Sequence, residues 1–269
     1  MQDLAGKVAV ITGGASGIGR GTALALARRG VHVVIADLHA ERGAQTAQDL
    51  QALGVRSLFR PCDVTRDADV RALRAAAIEG MGRVDILMNN CGILPVGAFD
   101  EVGFEAWERC FQVNLFSYVR CTQAFLPDLA AQGEGHIVNT ASMAGLLAYD
   151  PKSLAYGASK AAVVSLSEGL ALALAPRNIG VTCLCPGGVS TNIREQVTAH
   201  GDIAFLGEYC SRHIKSRTPD EVGEMVVEAI KRNQFLLHTD EAAHDILVRR
   251  AKDPEAFLAE MQTFIESLV

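Results

Sequence analysis

With 269 residues, 49% of them hydrophobic, the chain can build one sizeable core but is short for two, a length common among α/β folds. Its formal net charge of −6, without a long like-charge block, argues against nucleic acid or an anionic membrane surface as the main partner. Its apolar stretches are broken by Gly, Pro or charge, so no membrane-spanning run is expected.

The chain enters a strand-like segment within a few residues of Met1, which leaves no room for a signal peptide and makes the cytoplasm the expected location. Strand candidates follow at Val8–Thr12, Val31–Ala36, Arg56–Arg60, Val84–Asn89, His136–Ala141 and Val181–Cys185. Between them, Gly17–Arg29, Ala40–Leu53, Ala68–Met81, a long stretch near Phe104–Ala131, and Leu154–Ala175 carry apolar residues at helical spacing. Runs such as Val-Val-Ile-Ala are apolar on both faces, as strands covered on both sides require. The alternation predicts a single α/β domain over 1–269: a Rossmann-type doubly wound parallel sheet with helices on both faces.

After Pro186 the rhythm changes. Residues 191–217 carry two weak helical patches around His200-Gly201-Asp202 and are expected to form a flap above the carboxyl ends of the strands. A helix then starts at the Thr218 cap with Pro219 in its first position, Phe235–Leu237 is a last strand candidate, and 240–269 reads as a helical extension. Seven cysteines are scattered, odd in number and without a Cys-x-x-Cys pair, so they read as buried reduced thiols and no metal site is expected.

Between the first strand and first helix lies Thr12-Gly13-Gly14-Ala15-Ser16-Gly17-Ile18-Gly19. Glycines here let backbone approach a pyrophosphate, and the helix N-terminus favours its charge. Asp37 closes the second strand 18 residues after Gly19, where a carboxylate can accept hydrogen bonds from ribose hydroxyls. It would also repel a 2′-phosphate, and Ala15 offers no positive charge, so NAD is favoured over NADP; His39 and Arg42 are close enough in sequence to temper that preference. Further along, Tyr156 and Lys160 stand one helical turn apart on one face. An ammonium beside a phenol favours the phenolate, lowering a pKa of about 10, and equips the pair for proton exchange with an alcohol or ketone.

Together these residues resemble the short-chain dehydrogenase/reductase family over roughly residues 5 to 237. Thr12–Gly19 is similar to the family's TGxxxGIG turn. Asp63-Val64 is similar to its adenine-contacting pair, and Asn89-Asn90-Cys91-Gly92 to its NNAG segment, with Cys91 in place of alanine. The resemblance implies four catalytic positions: Asn114 holding a relay water, Ser142 bonding the substrate oxygen, Tyr156 as acid/base and Lys160 as its partner on the nicotinamide ribose. It also implies that Asn90, Pro186, Gly187, Val189 and Thr191 contact the cofactor alongside Gly13, Ser16, Gly17, Ile18, Gly19, Asp37, Asp63, Val64, Tyr156 and Lys160. Ser142 precedes Tyr156 by 14 residues, about one more than the family's usual spacing, so the segment 146–153 should differ in shape. Tyr149 is not a rival base, since Ser153 rather than lysine stands four residues on.

The implied activity is NAD-dependent interconversion of a secondary alcohol and its ketone. Leu94, Met143, Leu147, Tyr149 and Ile193 are the expected substrate contacts. Being mostly apolar, they suit a lipophilic or aromatic small molecule. An NADPH-dependent carbonyl or 3-oxoacyl reductase is the alternative enzyme, and a non-catalytic nucleotide-binding regulator the alternative class. Family habit implies a homo-oligomer, a dimer or tetramer, through the helices near 104–131 and 154–175.

Overall fold

Strands such as Val8–Thr12 (β1) and His32–Asp37 (β2) are apolar on both faces because both faces are covered. A computed structural model describes the whole chain except residues 191–194, 196, 202, 204–211, 241 and 269. Ser57–Pro61 (β3), Ile86–Asn89 (β4), Gly135–Thr140 (β6), Ile179–Cys185 (β7) and Leu236–His238 (β9) complete a seven-stranded parallel sheet in the order β3-β2-β1-β4-β6-β7-β9. Each strand lies within one or two residues of its sequence expectation.

Helices Gly17–Ala27 (α1), Ala40–Ala52 (α2) and Pro219–Arg232 (α7) cover one face, where Leu26, Leu50, Val226 and Ile230 are fully buried. Asp67–Met81 (α3), Ser117–Ala131 (α5) and Leu154–Leu174 (α6) cover the other with Leu73, Phe125 and Leu129. The chain leaves the sheet edge at β3 and returns beside β1 as β4. This reversal opens a crevice at the carboxyl ends of β1 and β4, where such sheets bind ligands. The glycine-rich turn leaves one of these ends and Asn90-Cys91-Gly92 leaves the other.

Four features depart from the sequence reading. The stretch expected as one helix near 104–131 is Phe104–Phe111 (α4), a π-helical turn over Gln112–Phe116, and α5. The expected extension is two helices, Ala242–Lys252 (α8) and Pro254–Glu266 (α9). Asp253 separates them, its carboxylate accepting from Ala256 N–H at 2.9 Å while Pro254 takes the first helical position.

In the flap, Val197–Ala199 is not helical but a strand (β8), paired in parallel with Leu94–Val96 (β5). Its backbone groups find ladder partners there, and Gly97 is required beside it, because a Cβ at that position would stand 2.2 Å from the His200 carbonyl oxygen. Finally, residues Leu154–Arg177 are long and apolar enough to cross a membrane, with a mean hydropathy of 1.3 in their most apolar window, contrary to the expectation of no such run. Alanine, leucine and valine supply that hydropathy, while the same helix carries Tyr156 and Lys160 toward the crevice.

Candidate active site

The turn after β1 is shaped by close backbone approach. Gly13 and Gly17 have positive φ, 64° and 52°, and a Cβ on Gly19 would stand 2.3 Å from the Gly13 carbonyl oxygen. Asn90 Nδ2 donates to that same oxygen at 3.1 Å, locking the turn to the segment after β4. Ser16 caps α1 without a side-chain hydrogen bond, so the first N–H groups of the helix keep no side-chain partner at their cap. A turn of this shape can take an anion such as a pyrophosphate.

Asp37 ends β2 with both carboxylate oxygens oriented by backbone: Ala15 N–H donates to one and His39 N–H to the other, each at 3.0 Å. Asp63 accepts from both the amide and the hydroxyl of Thr65, at 2.9 and 2.7 Å. Burial works against its charge, but those bonds, with Arg66 and Arg109 nearby, hold its carboxyl below the usual range. Gly13, Ser16, Gly17, Ile18, Asp37, Asp63, Val64, Asn90, Pro186, Gly187 and Val189 all line one cavity of about 330 Å³. Gly19 lies beneath it as the close-contact glycine, and Thr191 falls outside the described residues.

Ser142, Tyr156 and Lys160 line the same cavity. Ser142 sits at the end of β6 and caps a short turn, its Oγ accepting from Ala144 N–H at 3.1 Å. Lys160 is 2% exposed, its Nζ donating to the Thr140 carbonyl at 2.7 Å and lying 5.7 Å from the centre of the Tyr156 ring. Burial lowers the Lys160 ammonium to about 8, against the opposing influence of Cys110, Cys91, Cys183 and Cys185.

Asn114 lies in the π-helical turn, a distortion that frequently marks functional sites. Its side chain is fully engaged: Oδ1 accepts from Ile93 N–H at 2.9 Å, and Nδ2 donates to the Ile93 carbonyl and Ser159 Oγ at 3.1 and 3.0 Å. It clamps the strand end after Gly92 to α6.

The expected substrate contacts are placed differently. Met143 and Leu147 are buried in an apolar cluster with Ile246 of α8 and Phe257 and Met261 of α9, and Tyr149 packs against that cluster. Leu94 begins β5, and Ile193 falls outside the described residues. None of the four described residues is among those lining the cavity shared by Asp37 and Tyr156.

A family model for short chain dehydrogenases matches residues 7–202. The chain belongs to the short-chain dehydrogenase family. A short-chain dehydrogenase/reductase from Burkholderia phymatum, solved in complex with NAD, is 34% identical, with a TM-score of 0.87 over 95% of this chain and 96% of its own. The 2,5-dichloro-2,5-cyclohexadiene-1,4-diol dehydrogenase LinX of Sphingobium indicum is 38% identical over 72% of this chain and 77% of its own length. Oxidoreductase UcpA of Salmonella typhimurium is 36% identical over 73% and 74%.

This short-chain dehydrogenase also places side chains in or beside the cavity that the sequence reading did not single out. Leu38, Thr65, Arg109, Thr140 and Cys62 line it, together with Cys91 of the Asn89-Asn90-Cys91-Gly92 segment, and burial pushes both thiols up to about 12. Tyr118, buried beneath it, is 3.3 Å from Lys160 Nζ. The spacing of Asn114 and Tyr118, four residues apart on the same helical stretch, is the signal that could have pointed to it.

Proposed function

We propose that this chain is an NAD-dependent oxidoreductase interconverting a lipophilic or aromatic secondary alcohol and its ketone, with Tyr156 as acid/base. The observation that carries the reading is the convergence of Ser142, Tyr156 and Lys160 on the cavity that holds Asp37 and the uncapped N-terminus of α1. The family membership, the NAD complex of the Burkholderia neighbour and the diol dehydrogenase named among the relatives support it.

The residues fit a dinucleotide. The α1 N-terminus and the glycine turn, braced by Asn90, would take the pyrophosphate, Asp37 the adenosine ribose hydroxyls, Asp63 and Val64 the adenine side, and Pro186 to Thr191 the nicotinamide end. The Asp37 carboxylate disfavours a 2′-phosphate, and the nearby Arg42 is engaged by Glu195 at 2.8 Å. Bound there, NAD supplies the hydride acceptor for the carbinol carbon.

In the oxidation direction Tyr156 Oη takes the alcohol proton, its phenolate favoured by the Lys160 ammonium. Ser142 Oγ already accepts from Ala144 N–H, so its own proton is free to bond the substrate oxygen. Lys160 would hold the nicotinamide ribose, and Asn114, its side chain engaged by Ile93 and Ser159, keeps the wall behind it fixed, leaving only its backbone to hold a relay water. Reduction reverses these steps.

Support for a lipophilic substrate comes from Met143, which follows Ser142 directly and roots in the apolar cluster with α8 and α9. The flap (191–217) and the extension (240–269) are read as the substrate-side wall of the single domain, with Leu94, Leu147 and Tyr149 on or near it; Ile193, outside the described residues, is a further proposed contact. Exposed apolar side chains on the helices, Phe104, Phe116 and Leu172, favour a homo-oligomer.

Initial rates with a panel of lipophilic and aromatic secondary alcohols, each with NAD and NADP, test the proposal. NAD-preferring turnover is expected. Turnover with NADP(H) alone would transfer the reading to a carbonyl or acyl reductase. Dinucleotide binding without turnover of any alcohol or ketone would indicate a nucleotide-binding regulator.

A further inference from the structure

Lys160 Nζ has two partners on the sheet side of the pocket. One is the Thr140 carbonyl at 2.7 Å; the other is the hydroxyl of Tyr118 at 3.3 Å, on α5. That hydroxyl lies 3.0 Å from both the Cys91 and Thr140 carbonyl oxygens, so its single proton goes to one of them and its oxygen accepts from Lys160. The Tyr118 ring also faces the ammonium, with Nζ 5.2 Å from its centre. Tyr118 is 1% exposed and packs with Ala141, Val163, Cys183 and Cys185, so the phenol has no room to turn away.

An ammonium has three donors. We infer that Tyr118 is a positioning residue: with Thr140 it holds two of the three Lys160 donors against the sheet, leaving one directed to the pocket. The inference deepens the proposed function and rests on its assignment of Lys160. It explains why a large phenol is buried directly behind a buried lysine, which the hydride-transfer chemistry itself does not require.

The groups facing Lys160 are Tyr118 from α5, Tyr156 from its own helix, Cys91 after β4, Cys110 on α4, and Cys183 and Cys185 on β7. Burial pushes the Cys91 and Cys110 thiols up and Tyr118 well up, so these three stay neutral at the pH where Lys160 titrates. Tyr118 stabilises the ammonium as a neutral acceptor and an aromatic face, and removing its hydroxyl disfavours the charged form.

The test is the titration of Lys160 in the cofactor-free protein, followed by ¹³Cε-lysine NMR. The chain has only six lysines, and Lys160→Arg assigns the signal. Wild type should titrate near 8, and Tyr118→Phe, which keeps the ring, should titrate lower by about one unit. The NADH dissociation constant should change by less than about threefold below the midpoint, while the pH–rate limb governed by Lys160 moves with the NMR midpoint.

A folded Tyr118→Phe protein with an unchanged Lys160 midpoint overturns the inference. If that variant does not fold, the wild-type Tyr118 ¹³Cζ signal decides: an inflection at the Lys160 midpoint is expected, and a flat signal overturns it. A shifted midpoint in a protein that turns over no alcohol leaves the positioning role intact and removes the proposed function instead.

Discussion

The proposed cofactor side and the proposed substrate side of the crevice are built on different principles. The cofactor side is backbone: Gly13, Gly17 and Gly19, the Ala15 and His39 amides on Asp37, and Asn90 on the Gly13 carbonyl, all within two strand ends of each other. The proposed substrate side is side chains brought from far apart. Met143 and Leu147 meet Ile214, Ile246, Phe257 and Met261, more than 60 residues later, and β5 is held by β8 across about a hundred. A backbone cradle tolerates almost no change, whereas an apolar wall can change shape without disturbing the cradle. One fold can therefore keep its cofactor and vary its substrate.

The sharpest way to break the comparison is at Gly19. Gly19→Val places atoms against the Gly13 carbonyl, and NADH affinity should fall at least ~100-fold, about 2.7 kcal/mol, by fluorescence titration. Affinity within a few-fold of wild type would mean that the cradle is not the binding site. On the other side, Phe257→Ala should cost about 3 kcal/mol of stability in denaturant unfolding while leaving NADH affinity within about twofold. A parallel loss of NADH binding in the folded variant would show that the two sides are coupled.

The smallest effect concerns the sheet both sides share. His136, fully buried with Nε2 2.8 Å from Thr182 Oγ1, has its pKa lowered to about 3, chiefly by desolvation. The unfolded chain takes up this proton at about 6.5, so stability is complete above that pH and declines as pH falls toward the folded value, by about 2 kcal/mol at pH 5. Thermal unfolding at pH 5 and pH 8 should show the loss, and His136→Leu should remove most of it; equal pH dependence in both proteins would contradict this account.

The same contrast explains what the sequence made legible. Glycines with a positional meaning, a carboxylate at a strand end and a Tyr/Lys pair one turn apart are local signals, so the residues that gather at one cavity were readable one by one. Strand and helix positions followed from apolar periodicity, whereas the strand order is set by pairing between segments distant in sequence. The β5–β8 ladder was not readable: its strands are three residues each, and Val197–Ala199 gains strand character only by pairing with Leu94–Val96. The π-helical turn was equally silent, because Asn114 distorts the helix through bonds to Ile93 and Ser159, not through any local propensity. Met143 and Leu147 read as pocket residues from their place after Ser142, but whether they face a cavity or α9 depends on helices a hundred residues away.

The central claim is that Tyr156 is the acid/base of an NAD-dependent alcohol oxidation. The direct test is Tyr156→Phe, purified and folded, with kcat measured on the best alcohol of the panel and NADH affinity measured separately. The account predicts a loss in kcat of at least ~100-fold with NADH affinity within about twofold of wild type. Substantial turnover in that variant would contradict it.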